Sequence, residues 1–212
     1  VHSFSGQPVP AEFTDYEALL AGADAAAFRY PPHAEDDPVA MCYTSGTTGR
    51  PKGVVYSHRS TLLHTLVASL GDYWGLRGVD VVLPVTPMFH ANCWGVPYGA
   101  VMTGSKLVFP GPHLHPEDLL DLMTAEPPTL SLGVPTIWLG LIQAYDAAQQ
   151  QDHPHHGRWK LPRGMRSLVG GAPVPESLIR AFDAHGIWLL QGWGMTETSP
   201  LATVSYPKAE LR

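Results

Sequence analysis

From Val39 onward, short apolar runs alternate with segments whose apolar residues recur at helical spacing, and the connections between them are short. A chain built this way has few options, because each strand must find a neighbour while the helix between strands crosses over a face. The pattern predicts an α/β fold, a mainly parallel sheet with helices on both faces. Strands are predicted at Val39–Tyr43, Val54–Tyr56, Val79–Val85, Lys106–Phe109, Thr129–Val134, Arg166–Val169 and Ile187–Leu190. Helices are predicted in five places. One is capped by Ser57 and carries Leu62, Leu63, Leu66, Val67 and Leu70. The others run over Trp94–Met102, from Pro116, around Ile137–Tyr145, and over Pro175–Ala184, stopped by Gly186. Asp15 to Ala25 predicts a further short helix.

Three regions follow from composition. Residues 1–38 are rich in Ala, Pro and acidic groups and read as a connector with that short helix. Residues 39–200 hold the alternating pattern, and 201–212 read as a truncated extension. Hydrophobic residues make up 44% and charged residues 15%, which excludes a disordered chain. A net charge of −6 gives no basic footprint for nucleic acid. The uncharged tract between Val81 and Ser105 contains Pro84, Pro87, His90, Asn92 and Pro97, which a membrane-spanning helix cannot accommodate easily. With no signal peptide visible and two unpaired cysteines, Cys42 and Cys93, the sequence predicts a cytoplasmic protein. His153, His155 and His156 lack the cysteine or carboxylate partners of a tetrahedral metal site and read as a solvated connector.

The chemistry concentrates in Tyr43-Thr44-Ser45-Gly46-Thr47-Thr48-Gly49-Arg50-Pro51-Lys52-Gly53. Glycines let successive backbone N–H groups point at one anion, hydroxyls add donors, and Lys52 adds a mobile cation. This predicts a loop that grips a polyphosphate. It is not a Walker A loop, since Lys52 is flanked by Pro51 and Gly53 and leads into a strand rather than a helix.

The stretch resembles the phosphate loop of the acyl-adenylate-forming enzymes. Gln191-Gly192-Trp193-Gly194-Met195-Thr196-Glu197-Thr198-Ser199-Pro200 resembles a second family segment, and Pro87-Met88-Phe89-His90 and Gly170-Gly171-Ala172-Pro173 match two more in the expected order. The tract Asn92-Cys93-Trp94-Gly95-Val96-Pro97-Tyr98 is most similar to medium- and long-chain fatty acyl-CoA synthetases. The resemblance implies the large N-terminal domain of such an enzyme. It also implies a two-step reaction, in which a carboxylate attacks the α-phosphate of ATP and a thiol, usually coenzyme A, then takes the acyl group.

By the same resemblance, Thr44, Ser45, Gly46, Thr47, Thr48, Gly49 and Lys52 hold the β- and γ-phosphates. Thr196 contacts the α-phosphate and Glu197 holds Mg²⁺. Gly170, Gly171, Ala172 and Pro173 flank one side of the adenosine, and Gln191, Gly192, Trp193 and Gly194 the other. Trp193 stands where many relatives have Tyr. His90 lies near the acyl carboxylate, and Trp94 walls the acyl pocket. Each has a plainer alternative: a surface lysine, a capping or surface glutamate, an ordinary strand-to-helix turn, or a histidine or tryptophan of the core.

Relatives continue with a ribose-binding aspartate, a hinge and a C-terminal lid carrying a catalytic lysine, none of which fits after Pro200. The sequence therefore reads as a central piece of the parent enzyme, inactive or nearly so by itself. Two other readings stay open: a fatty acyl-AMP or aryl-CoA ligase, and a non-catalytic nucleotide-binding module. Acyl chain length and homo-oligomer formation are not legible.

Overall fold

A computed structural model describes residues 10–46 and 49–206. Two contact units emerge, divided between Ala34 and Glu35. In the first, the predicted helix is shorter than expected: α1 runs over Tyr16–Ala21, with the Asp15 carboxylate accepting from the Ala18 N–H at 2.8 Å.

The second unit begins with a hairpin. β1 (Pro38–Thr44) pairs antiparallel with β2 (Lys52–Ser57), bringing Thr44 opposite Lys52. These two strands form a sheet of their own. The sequence predicts a mainly parallel sheet; this pair stands apart from it, and its short connection, with no crossover helix, makes it antiparallel.

Ser57 then caps α2 (His58–Ala68) in a reciprocal box with Ser60, each backbone N–H donating to the other's hydroxyl at 3.1 Å. The expected apolar face of α2 is not its buried face. Leu62, Leu63, Leu66, Val67 and Leu70 are all exposed, and Thr65 and Ala68 are buried instead.

The main sheet has six strands in the order β4-β3-β5-β6-β7-β8. Its parallel members are β3 (Val81–Pro84), β4 (Lys106–Leu107), β5 (Leu130–Gly133), β6 (Arg166–Val169) and β7 (Trp188–Gly194). β8 (Leu201–Ser205) closes the edge antiparallel to β7. Two features here depart from the sequence reading. β7 runs on through Gln191–Gly194, and β8 lies in what was read as an extension.

Alternate strand residues feed two cores, as the two-residue period of a strand requires. Leu83, Val85 and Val169 face α4 (Pro116–Ala125), α5 (Pro135–Ala147) and α6 (Glu176–Ala184), packing with Leu119, Trp138 and Phe182. Val82, Leu130, Leu132, Leu168 and Leu190 face the other way, onto Ala68, Trp74, Trp94 and Val96. The sheet is thus covered on both faces. α3 (Val96–Thr103) is shorter than the predicted Trp94–Met102, because Trp94 stands at φ 55°, outside the right-handed helical region.

The amino end of the sheet is tied by a buried charge. Asp80 accepts from Arg166 at 2.8 Å, from the Thr129 hydroxyl at 2.7 Å and from the Arg77 N–H at 2.8 Å. Burial alone would push its carboxyl upward, yet these donors together hold it below the usual carboxylate value. Nor is the His-rich stretch a free connector. Arg158 and the Trp159 indole both donate to Asp121 on α4, and Trp159 is buried.

Candidate active site

Four chain segments end around one cavity of 510 Å³. That volume suits a small-molecule site. The hairpin supplies Thr44, Ser45, Gly46 and Lys52; the chain after β3 supplies His90, Ala91 and Trp94. Gly170 and Gly171 enter from the end of β6. The end of β7 and its turn supply Gly192, Trp193, Gly194, Met195, Thr196 and Glu197. Three of these segments lie at carboxyl ends of parallel strands, where open α/β sheets bind ligands. The fourth arrives from the separate hairpin.

The hairpin explains the shape of the loop between Thr44 and Lys52. Pairing of Thr44 with Lys52 closes the loop at its base, and the Thr44 hydroxyl donates to the Lys52 carbonyl at 3.5 Å. Gly46 sits at φ +67°, and a Cβ there would meet the Arg50 carbonyl oxygen at 2.3 Å, so only glycine fits. Lys52 is exposed toward the cavity mouth. Gly49 does not line the cavity, and Thr47 and Thr48 lie outside the described residues.

The turn after β7 is equally constrained. A Cβ on Gly194 would come within 2.0 Å of the Pro200 carbonyl oxygen. The Met195 N–H donates to that same oxygen at 3.1 Å and to the Thr198 hydroxyl at 2.9 Å. These bonds fix the short turn Thr196–Thr198 and leave the Glu197 carboxylate exposed on the cavity wall. Glu197 is therefore not a buried structural group. Among the described residues no cluster of three His, Cys, Asp or Glu gathers here or elsewhere. One carboxylate in a cavity with a cationic loop fits a hard cation that arrives with phosphate oxygens, as Mg²⁺ commonly does.

The glycines after β6 and in β7 have a reason within the fold. A Cβ on Gly170 would lie 2.7 Å from the Gly192 carbonyl oxygen and 3.5 Å from the Trp94 ring, and Gly171 stands at φ +79°. Close approach of β6 and β7 requires the first, and the positive φ favours glycine at the second. Ala172, Pro173 and Gln191 do not line the cavity, while the Trp193 side chain is half exposed beside it.

His90 is exposed and lines the cavity, so the core-histidine alternative does not hold. Beyond it, Ala91, Asn92, Cys93 and Trp94 all adopt φ between 45° and 55°, followed by Gly95 at 79°. Consecutive left-handed residues other than glycine cost roughly 1–2 kcal/mol each. The run is held by packing: Cys93 and Trp94 are buried, and the Cys93 thiol donates to the Thr86 carbonyl at 2.9 Å. Burial pushes the Cys93 thiol up to about 12, so it stays protonated and inert.

Sequence reasoning missed the apolar floor, Leu168, Pro200 and Leu201. It also missed the residues behind the cavity. The Tyr56 hydroxyl donates to the Thr196 carbonyl at 2.6 Å. The His64 ring accepts from the Leu201 N–H at 3.1 Å. Nothing in their immediate neighbours, Val55 and Ser57 for Tyr56 and Leu63 and Thr65 for His64, signals these contacts.

Comparison with known proteins agrees with this geometry. The family model described as AMP-binding enzyme matches residues 5–212. The chain is 44% identical over 198 residues to the 3-methylmercaptopropionyl-CoA ligase of Ruegeria lacuscaerulensis, covering 93% of this chain and 35% of that protein. It is also 44% identical over 205 residues to the long-chain-fatty-acid–CoA ligase of Thermus thermophilus, covering 97% and 36%. Among solved structures, the N-terminal domain of FACL13 from Mycobacterium tuberculosis superposes with a TM-score of 0.73 at 29% identity, over 90% of this chain and 45% of that one. Apo MatB from Rhodopseudomonas palustris gives 0.70 at 28% identity, over 91% and 36%. The chain thus spans about a third of the length of the ligases it matches. A family model covering nearly every residue, together with relatives 44% identical over more than nine-tenths of the chain, makes this chain a member of the AMP-binding enzyme family, with acid–CoA ligases among its relatives.

Proposed function

We propose that this chain forms the nucleotide- and acid-binding part of an AMP-forming acid–thiol ligase that activates a fatty or related carboxylic acid. The observation that carries the reading is the meeting of Lys52 and Glu197 on one cavity that His90 and Trp94 also line.

In the first step the acid's carboxylate oxygen bonds to the α-phosphorus of ATP. The bond from that phosphorus to the bridging oxygen breaks, and pyrophosphate leaves. An anion must approach a polyanion, so the site has to neutralise phosphate charge and align the attack. Lys52 and the donors of Thr44, Ser45 and Gly46 take the β- and γ-phosphates, and Lys52 balances the charge that grows on the leaving pyrophosphate. The Thr196 hydroxyl serves the α-phosphate. Glu197 would hold Mg²⁺, which would supply charge neutralisation to the phosphates. Gly170 and Gly171 line one side of the adenosine, with Ala172 and Pro173 continuing their turn outside the cavity. Gly192 and Gly194 line the other, with the exposed Trp193 ring available to stack on the base.

His90 donates a hydrogen bond to the acid's carboxylate and orients it. Trp94 and Leu201 make the apolar wall for the acyl chain. In the second step a thiolate, that of coenzyme A, attacks the acyl carbonyl and AMP leaves. Relatives named for methylmercaptopropionyl, medium-chain and long-chain acids all lie at 43–44% identity, which supports the acid–CoA class and leaves the acid to be assigned by assay. We place the reaction in the cytoplasm; no helix among the described residues is long and apolar enough to cross a membrane.

The test is exchange of labelled pyrophosphate into ATP by the polypeptide that carries this chain, with acids of graded length. Exchange that appears only when a carboxylic acid is added, and falls at least tenfold in Lys52→Ala, supports the proposal. Nucleotide binding without exchange for any acid contradicts it and favours a non-catalytic nucleotide module.

A further inference from the structure

Behind the cavity, the hairpin and α2 touch both turns that carry the proposed chemistry. Tyr56, at the end of β2, is buried, and its hydroxyl reaches across 140 residues to the Thr196 carbonyl at 2.6 Å. One and a half turns along α2, the His64 Nε2 accepts from the Leu201 N–H at 3.1 Å, which fixes the far end of the same turn. The other edge of that imidazole meets the left-handed run. A Cβ on Gly95 would lie 3.0 Å from it, so the ring sits flush against the Gly95 backbone and edge-on to Trp74. From β1, the Cys42 thiol donates to the Asn92 side-chain oxygen at 3.5 Å. The gap left between these pieces is only 10 Å³, lined by Tyr56, His64, Asn92, Gly95 and Pro200 among others. A joint packed this closely transmits displacement instead of absorbing it.

We propose that Tyr56 and His64 are positioning residues: from behind the cavity they lock the turn bearing Thr196 and Glu197 to the phosphate-loop hairpin, and so set the alignment of phosphate and metal. This rests on the nucleotide reading given above. Neither residue reaches the cavity itself, since neither lines it. Both act on the ends of one turn, Tyr56 on the carbonyl of its first residue and His64 on the strand that follows it. Tyr56 is suited to the task because it stays a donor: burial, then the neighbouring Cys42 and Glu197, push its hydroxyl up to about 12. His64 is suited because burial pushes its ring down to about 4, leaving a neutral acceptor.

The experiment compares MgATP and adenosine binding to wild type, Tyr56→Phe, His64→Leu and His64→Gln, followed by backbone amide shifts on titration. Tyr56→Phe removes one oxygen and keeps the ring. The geometry predicts MgATP affinity lower by about threefold to tenfold, the loss of one hydrogen bond, with adenosine affinity unchanged. His64→Leu follows the same split, and His64→Gln restores MgATP binding because its side-chain oxygen still accepts from the Leu201 N–H. A merely structural role moves both ligands together and shows no rescue. Wild-type MgATP affinity in both Tyr56→Phe and His64→Leu overturns the inference alone. If His64→Leu does not fold, Tyr56→Phe decides. A wild type that binds neither ligand removes the nucleotide reading and this inference with it.

Discussion

Individual side chains here divide into those that line the cavity and those that shape the backbone around it. Lys52, Thr196 and Glu197 stood out because hydroxyls, a lysine and a carboxylate in glycine-rich surroundings have a recognisable chemistry, and all three line the cavity. The reason for the glycines was not. Gly170 and Gly194 are required by backbone contacts with Gly192 and Pro200, partners that only folding brings near. Gly194→Ala therefore displaces the Glu197 turn. It should cost about 1–3 kcal/mol in denaturant unfolding and abolish MgATP binding; normal binding would show that the turn tolerates the displacement. His64 adds a pH signature. Its ring titrates near 4 in the fold against 6.5 in an unfolded chain. Between those values the unfolded state binds the extra proton, so stability falls as pH falls through that window. The full effect is on the order of 3 kcal/mol. His64→Gln should flatten the slope between pH 7 and pH 4.5 in urea unfolding; an unchanged slope assigns the titration to other groups.

At the scale of elements, helices α4, α5 and α6 and the parallel strands were readable from apolar spacing and from prolines at helix starts. The hairpin was half readable. Its strands were seen, but nothing in Val39–Tyr43 or Val54–Tyr56 says that they leave the main sheet. β8 was missed because it follows β7 without a helix, through the segment that carries the site. The extension of β7 was hidden by Gly192 and Gly194, which are poor strand formers in isolation. The prediction at this scale concerns the Asp80–Arg166 tie, which joins the chain before β3 to β6. Asp80→Ala leaves Arg166, itself mostly buried, without its counter-charge, and should cost about 3–5 kcal/mol. Asp80→Asn, which keeps an acceptor oxygen, should cost less. Equal small losses in both would mean that the tie carries little of the stability.

For the molecule as a whole, α2 shows how pattern and packing diverge. Its leucines announce a helix, yet the side that packs uses Thr65 and Ala68. The partner there is the close-set Gly95 and Gly99, where a Cβ on Gly99 would already lie 3.3 Å from the Ser69 hydroxyl. Small residues fit that approach and leucines do not. Leu62→Glu with Leu66→Glu should then change unfolding free energy by less than about 1 kcal/mol, whereas Leu83→Ala in the core costs about 2–5 kcal/mol. A large loss in the α2 pair would show that those leucines are covered in solution.

The central claim is that the hairpin tip and the turn after β7 form one nucleotide cavity. Titrating the isotopically labelled chain with MgATP tests it most directly. Amide signals of Thr44–Gly46 and Lys52 should shift together with those of Gly192–Glu197, and Lys52→Ala or Glu197→Gln should suppress both sets. Shifts confined to one of the two segments, or unaffected by either substitution, would contradict it.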